Sequence, residues 1–354
     1  MRLLNLLLDE ATFPAFSEHL DPREVRRPRR TGRVWAVVNL EDIRLAWRRL
    51  EGVAVRTPLV PYPCSSAERY LYFKPESLQP VGSFKLRGAY NKIASLPEEE
   101  KARGVVAYSS GNHAQGVAYA ARELGVPAII AMPRGASRAK LERTKELGAQ
   151  VLLVGEGSGE RKAKAEELAA EYGYAVVPPY DDEALVAGQG TVGLEVMEDL
   201  PEVETVLAPV GGGGLISGVA AAIKISNPGV RVIGVEPELA SDASASLRRG
   251  RLVELSPEEA SRTIADGLRT QRLGEVTFAH IRSFVDEIVT VSEEEIREAV
   301  RRLALEARLV AEPSGAVAFA GYLFRRDELP PARFNAVVVS GGNVEPRLLR
   351  QVLT

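Results

Sequence analysis

The chain reads as an α/β protein built on largely parallel sheets, and three observations carry that reading. Short apolar runs of strand length recur along it, Ala/Leu/Glu-rich stretches with helical spacing alternate with them, and Gly or Pro marks the junctions. At 354 residues the length suggests two domains, on the usual scale of roughly 100–200 residues each.

Residues 1–37 stand apart from this pattern. MRLLNLLLDE begins with an apolar run that Asp9 and Glu10 stop. That run is too short for a signal-peptide core, and no small-residue cleavage site follows it. The segment 23–33, REVRRPRRTGR, carries six arginines and no apolar periodicity. It reads as a solvated, poorly ordered extension, with a nucleic-acid or membrane arm as the competing reading. Folded sequence is expected from about Asn39, where Ile43, Ala46, Trp47 and Leu50 share one helical face and Gly52 stops the helix.

Beyond it, strands are expected at 104–109, 128–133, 150–155, 205–210, 231–237 and 335–342. Helices are expected around 116–125, 139–148 and 161–173, with another after Gly214. Val206–Ile223 has no charge over membrane-spanning length, yet its five glycines and Pro209 make it strand, turn and buried helix instead.

Composition narrows the chemistry. A formal net charge of −3 exerts no overall pull on nucleic acid or anionic lipid. The single Cys64 excludes an internal disulfide and a Cys-rich zinc site, and His19, His113 and His280 are too scattered for a paired-histidine metal motif. Reaction chemistry therefore falls to serines, carboxylates, a bound cofactor or one of only nine lysines.

In parallel sheets ligands bind beyond the carboxyl ends of strands, and three segments there stand out. The first is a strand followed by Gly211, Gly212, Gly213 and Gly214 and then a helix, a cradle whose successive N–H groups can face one phosphate. A flexible turn is the plainer reading. Glu236 lies where a dinucleotide site keeps its ribose-binding acid, but GxGxxG fails because Ile216 follows Gly211 and Gly213, and no GxxxxGK[ST] occurs. A single phosphate monoester suits the loop better. The second segment, Ser109, Ser110, Gly111, Asn112 and His113, opens a helix with hydroxyl and backbone donors suited to a carboxylate, although ordinary N-cap chemistry uses the same residues. The third places Lys85 between Phe84 and Leu86, where a semi-apolar pocket would lower the ammonium pKa and support Schiff-base chemistry; a snorkelling surface lysine is the alternative.

A phosphate, a carbonyl for Lys85 and an aromatic ring together describe pyridoxal 5'-phosphate. At this point the chain resembles the fold-type-II pyridoxal-phosphate enzymes of the threonine dehydratase/serine racemase family. The matching stretches are SFKLRGAY (83–90), SSGNHAQGVAYAA (109–121), AGQGT (187–191), PVGGGGLISG (209–218), TIADG (263–267), EPSGA (312–316) and SGGN (340–343). They follow the family's order from about residue 39 to 345.

The resemblance implies a tryptophan-synthase-β-like fold: two open, twisted, mainly parallel sheets with flanking helices. A small domain at 100–180 would be inserted in a large cofactor-binding domain formed by 38–99 and 181–354. It implies that Lys85 carries the cofactor covalently with Phe84 against the ring, and that Gly211–Gly214 with Leu215 hold the phosphate. Asn112 would face the phenolic oxygen and Ser340 the pyridine nitrogen. Ser109–His113 would bind the substrate carboxylate, and Ser110 matches the racemase position acting from the opposite face of Cα. Glu236, the carbonyl of Ala240, and Asp242 fall at the family's spacing for a divalent ion, which all-oxygen ligation would make Mg²⁺, Ca²⁺ or Mn²⁺; an exposed acidic turn is the competing reading.

The implied activity is dehydration and deamination of L-threonine and L-serine, with serine racemisation or 3-hydroxyaspartate dehydration as the alternatives. Where nucleotide-binding racemases carry a lysine, this chain has Pro80 and Val81, so activation by ATP is not expected. The chain ends 11 residues after Asn343, so feedback control through a C-terminal regulatory domain is not expected either. A small amino-acid substrate, no nucleic-acid or membrane partner, a cytoplasmic location and a homodimer or homotetramer complete the expectation.

Overall fold

The computed structural model describes residues 37–155 and 157–354. The Arg-rich extension read at 1–37 lies outside the described residues except for Val37.

Ten strands form two sheets. Val60–Pro61 (β1), Tyr70–Pro75 (β2), Thr205–Pro209 (β7), Arg231–Pro237 (β8), Glu287–Val291 (β9) and Phe334–Val339 (β10) make a six-stranded sheet in the order β1-β2-β10-β7-β8-β9. Only β1–β2 is antiparallel. Val105–Tyr108 (β3), Ala128–Pro133 (β4), Gln150–Val154 (β5) and Ala175–Val176 (β6) make an all-parallel sheet in the order β5-β4-β3-β6. All of its strands come from one continuous stretch, whereas the larger sheet joins strands from before and after that stretch. Five of the six anticipated strands lie within a residue or two of their expected ends, and the sixth, expected at 335–342, is Phe334–Val339 and stops three residues early. The expectation omitted β1, β2, β6 and β9, because two are very short and β2 and β9 mix apolar with charged residues.

Strand alternation sorts the core. Val206, Ala208 and Val232 turn to one face of the large sheet, against helices that include Glu183–Asp199 and Gly214–Ser226; Leu207, Ile233 and Val337 turn to the other, against Glu293–Arg302 and Pro313–Phe324. In the small sheet Ala107 and Ile130 meet helices Lys85–Ala94 and Asn112–Glu123, while Val106 meets Ser158–Tyr172.

The first helix starts where its chemistry predicts. Asn39 caps Leu40–Leu50, its Oδ1 accepting from Asp42 N at 3.0 Å while Asn39 N donates to Asp42 Oδ2 at 2.9 Å. The buried Ile43, Ala46 and Leu50 form its inner face, while Trp47, expected on that face, is exposed at its border.

The AGQGT stretch at 187–191 organises everything that follows. It lies in helix Glu183–Asp199, which packs against both helices that open at the glycine loop and at Lys85. A Cβ on Gly188 would lie 2.6 Å from Gly88 Cα, and one on Gly218 would lie 2.4 Å from Gly190 N. Backbones in such contact fix the separation of the two helix starts.

Candidate active site

Both helix starts open on one cleft of about 1010 Å³. Phe84, Lys85, Ser109, Ser110, Gly111, Asn112, His113, Gly211–Gly214, Leu215 and Ser340 all line it. Every residue that the sequence suggested for cofactor or substrate is therefore brought together. Glu236, Ala240 and Asp242 are not part of the cleft lining.

Lys85 begins helix Lys85–Ala94, with Phe84 as its N-cap. Its Nζ donates to Pro179 O at 2.5 Å and lies 5.2 Å from the Phe84 ring centroid. Burial without a carboxylate partner pushes its pKa down to about 8. The amine thus gives up its proton more readily than an ordinary lysine, which makes it a better base and nucleophile near neutral pH.

The glycine cradle follows β7. Gly213 has φ +88°, and a Cβ there would lie within 3.0 Å of Leu273, Thr277 and Ile281 side chains. Thr277 Oγ1 donates to Gly212 O at 2.8 Å, turning that carbonyl away from the loop's amides. Among the described residues the amides of Gly211, Gly212 and Gly213 find no acceptor. Unpaired amides beside the start of helix Gly214–Ser226 are the donor set that a phosphate monoester requires. Tyr180 covers this loop: a Cβ on Gly212 would lie 2.2 Å from its ring, and its hydroxyl donates to Arg272 O at 3.3 Å. Burial pushes the Tyr180 phenol up to about 12, so it stays neutral.

Ser109–His113 connects β3 to helix Asn112–Glu123. Ser109 Oγ accepts from Gly111 N at 3.2 Å, shaping the turn, and the amides of Ser110, Asn112 and His113 find no acceptor among the described residues. That set fits a carboxylate. His113 is buried; its Nε2–H donates to Val177 O at 2.9 Å, and burial pushes its pKa down to about 3. Its imidazole is therefore a neutral wall and not a cationic carboxylate receptor.

Asn112 and Ser340 both line the cleft. Asn112 Nδ2 donates to Glu312 Oε1 at 2.5 Å, and Asn343 Nδ2 donates to Asn112 Oδ1 at 2.9 Å. Ser340 is buried and its hydroxyl takes no partner among the described residues. Glu312 is a cleft residue that sequence reasoning passed over, quoting it only within EPSGA. Its signal was a carboxylate placed immediately before Pro313 and an apolar helix.

The acidic group behind the cleft is compact. Glu236, at the end of β8, accepts from Ala243 N at 2.9 Å and Ser244 N at 2.7 Å. Both Asp242 carboxylate oxygens are buried without a well-formed hydrogen bond. Burial pushes Asp242 up to about 7, against weaker help from the amides of Asp242 and Leu273. Burial and then Asp242 hold Glu236 well above the carboxylate range. Ala240 is likewise buried. Both carboxyls are enclosed, so the exposed-acidic-turn reading does not hold; Asp242 alone lacks partners, and no group of three His, Cys, Asp or Glu side chains forms a ligand set among the described residues.

Comparison with known proteins identifies the family. The sequence pattern of the pyridoxal-phosphate dependent enzymes matches residues 50–341. An L-threonine ammonia-lyase of Thermotoga maritima is 48% identical over 320 residues, covering 90% of this chain and 78% of that protein. An L-threo-3-hydroxyaspartate ammonia-lyase of Saccharomyces cerevisiae is 42% identical, covering 78% of this chain and 83% of that protein. Among solved structures, maize serine racemase superposes with a TM-score of 0.85 at 36% identity, covering 89% of this chain and 97% of the other. A T.th. threonine deaminase does so with a TM-score of 0.81 at 43% identity, covering 87% and 99%. On these matches, this chain belongs to the pyridoxal-phosphate-dependent enzyme family.

Proposed function

We propose that this chain is a pyridoxal-phosphate-dependent ammonia-lyase that converts L-threonine to 2-oxobutyrate and ammonia, and L-serine to pyruvate and ammonia. The observation that carries the reading is the convergence of the Lys85 amine with two separate sets of unpaired backbone amides, one suited to a phosphate and one to a carboxylate. The threonine ammonia-lyase and deaminase relatives support the choice of substrate.

Pyridoxal phosphate, when bound, supplies the electron sink that acidifies the substrate's Cα–H. Gly211–Gly214 and Leu215 would hold its phosphate, Phe84 would pack on its ring, Asn112 would donate to its phenolic oxygen and Ser340 would face its pyridine nitrogen. A hydroxyl there, unlike a carboxylate, does not enforce nitrogen protonation, which favours elimination or racemisation over transamination. Ser109–His113 orient the substrate through its carboxylate. Lys85 Nζ, its pKa lowered toward neutrality, accepts the Cα proton. The substrate's β-hydroxyl departs as water, its proton balanced by the one Lys85 Nζ takes from Cα, and the released enamine tautomerises and is hydrolysed in solution to the 2-oxo acid and ammonia.

Ser110 lines the same cleft and would act on the opposite face of Cα, so serine racemisation is the second reading. The maize relative supports it, as the yeast relative supports 3-hydroxyaspartate. Glu236, Ala240 and Asp242 would hold Mg²⁺, Ca²⁺ or Mn²⁺ in a structural role. The proposal carries the domain division at 38–99 with 181–354 and 100–180, a cytoplasmic location, no nucleic-acid partner, and a homodimer or homotetramer; half-exposed Leu78, Leu305 and Val310 support association. No described helix is long and apolar enough to cross a membrane.

Assays of 2-oxobutyrate release from L-threonine and of D-serine formation from L-serine decide between the readings. Threonine turnover well above racemisation is expected. D-serine as the dominant product would replace the lyase with the racemase.

A further inference from the structure

A carboxamide can present either its oxygen or its nitrogen to a ligand, and three fixed partners decide the matter for Asn112. The chain of hydrogen bonds begins at Val81 O, a backbone carbonyl that can only accept. Asn343 Nδ2 donates to it at 2.8 Å, so the nitrogen end of Asn343 faces that side. The second hydrogen on the same nitrogen goes to Asn112 at 2.9 Å, which requires the Asn112 atom there to be Oδ1. Asn112 Nδ2 must then face Glu312, and it does, at 2.5 Å. Gly341 makes the meeting possible: a Cβ there would lie 2.3 Å from Glu312 Oε1 and 3.2 Å from Asn112 Nδ2. Glu312 is itself anchored, its N–H donating to Gly341 O at 3.1 Å.

We propose that Glu312 is a positioning residue for the cofactor, clamping the Asn112 carboxamide so that its remaining N–H is what the cleft receives at the phenolic oxygen. Asn343 holds the oxygen end and Glu312 the nitrogen end; with both in place the amide cannot rotate to offer its oxygen to an oxygen. This inference rests on the assignment of pyridoxal phosphate to the cleft. Burial is the largest influence on the Glu312 carboxyl and pushes it up to about 7, with Asp266 acting the same way and Asn112 and Lys140 opposing. Either protonation state retains an acceptor oxygen for Asn112, so the clamp requires the acceptor more than the charge.

The test resolves the cofactor from the enzyme and measures the Kd for pyridoxal phosphate by fluorescence titration, with the melting temperature of each cofactor-free variant as a folding control. Glu312→Ala is expected to weaken binding about fivefold to tenfold, the worth of one hydrogen bond whose buried partner is left unpaired. Glu312→Gln, which keeps an acceptor, is expected to stay within about threefold of wild type on the same scale. Because Glu312 acts through Asn112, the double variant Asn112→Ala/Glu312→Ala is expected to bind no more weakly than Asn112→Ala alone. Wild-type affinity in Glu312→Ala, losses that multiply in the double variant, or Gln no better than Ala would each overturn the inference. Should Glu312→Ala fail to fold, the Gln variant and its double with Asn112→Ala still decide. Failure of wild-type enzyme to bind pyridoxal phosphate at all would instead remove the reading beneath it.

Discussion

Replacing Arg87 with Met should destabilise the protein more than any surface change, and the size follows from its partners. Arg87 is two residues from Lys85 and almost wholly buried. Its Nε donates to Glu76 Oε2 at 2.7 Å, its Nη1 to Glu195 Oε1 at 2.6 Å, and its Nη2 to Glu76 Oε1 at 2.8 Å and Glu195 Oε2 at 2.9 Å. Lys74 Nζ pairs with Glu195 Oε2 at 2.6 Å, so two cations balance two carboxylates away from water. After Arg87→Met, among the described residues Glu76 keeps only Thr57 and Gln79 as hydrogen-bond partners, Glu195 keeps only Lys74, and one buried negative charge is uncompensated. Removing one member of a buried pair costs about 3–5 kcal/mol, a large share of a total of roughly 5–15 kcal/mol. Urea unfolding of cofactor-free enzyme should show the midpoint falling by roughly 1–3 M. Arg87→Lys should recover part of the loss, since an ammonium restores charge without the planar fork.

The pH dependence gives an independent check. In wild type burial would raise Glu76, but Arg87 overrides it and holds the carboxyl below its ordinary value. That stabilisation is present above the unfolded pKa and lost as pH falls through the folded one. Without Arg87 the carboxyl's pKa rises above its unfolded value, so the variant regains stability on acidification, and its deficit should narrow between pH 7 and about 4.5. A loss below about 1 kcal/mol, or a deficit that widens with acid, would refute the reasoning.

Four further outcomes follow. Lys85→Ala should abolish both turnover and the visible absorbance of bound cofactor, whereas retained turnover would displace Lys85 from its role. Lys85→Met should stabilise cofactor-free enzyme at pH 7 by up to ~3 kcal/mol, reduced by the partial exposure of the side chain. The wild-type amine's pKa is lowered from 10.5 to about 8 on folding, so the difference should vanish as pH rises past 10.5; melting curves at pH 7 and 10.5 check the sign. Gly212→Ala would place a methyl against the Tyr180 ring and should weaken pyridoxal phosphate by an order of magnitude or more, read as Kd; unchanged affinity would remove Gly212 from the cradle. Mg²⁺ or Mn²⁺ should raise the melting temperature of wild type but not of Asp242→Asn; equal response of both, or none in either, would dismiss the metal site.

Much of the site was legible in the chain because it is written locally. Four glycines between a strand and a helix, hydroxyl and amide residues at another strand-to-helix turn, and a lysine between Phe84 and Leu86 each specify chemistry within a few residues. The same locality explains the omissions. β2 and β9 show weak apolar patterning, and Lys74 in β2 is buried only because Glu195 arrives from a helix far along the sequence. Trp47 shares the helical spacing of the core residues, but spacing alone does not say which border of the face the rest of the protein covers.

By itself, then, the sequence determined the α/β class, the cofactor's chemistry and the turns that would meet it, since periodicity, glycine and turn residues act over short stretches. Only the tertiary structure decided how those turns converge and which groups stand behind them. Glu312 reaches Asn112 across 200 residues, Arg87 reaches Glu195 across 108, and Tyr180 packs its ring against Gly212. Each of those pairings depends on burial and on a partner whose position no local pattern encodes. Desolvation and long-range hydrogen bonding therefore set the charge and orientation of the groups that the sequence had named.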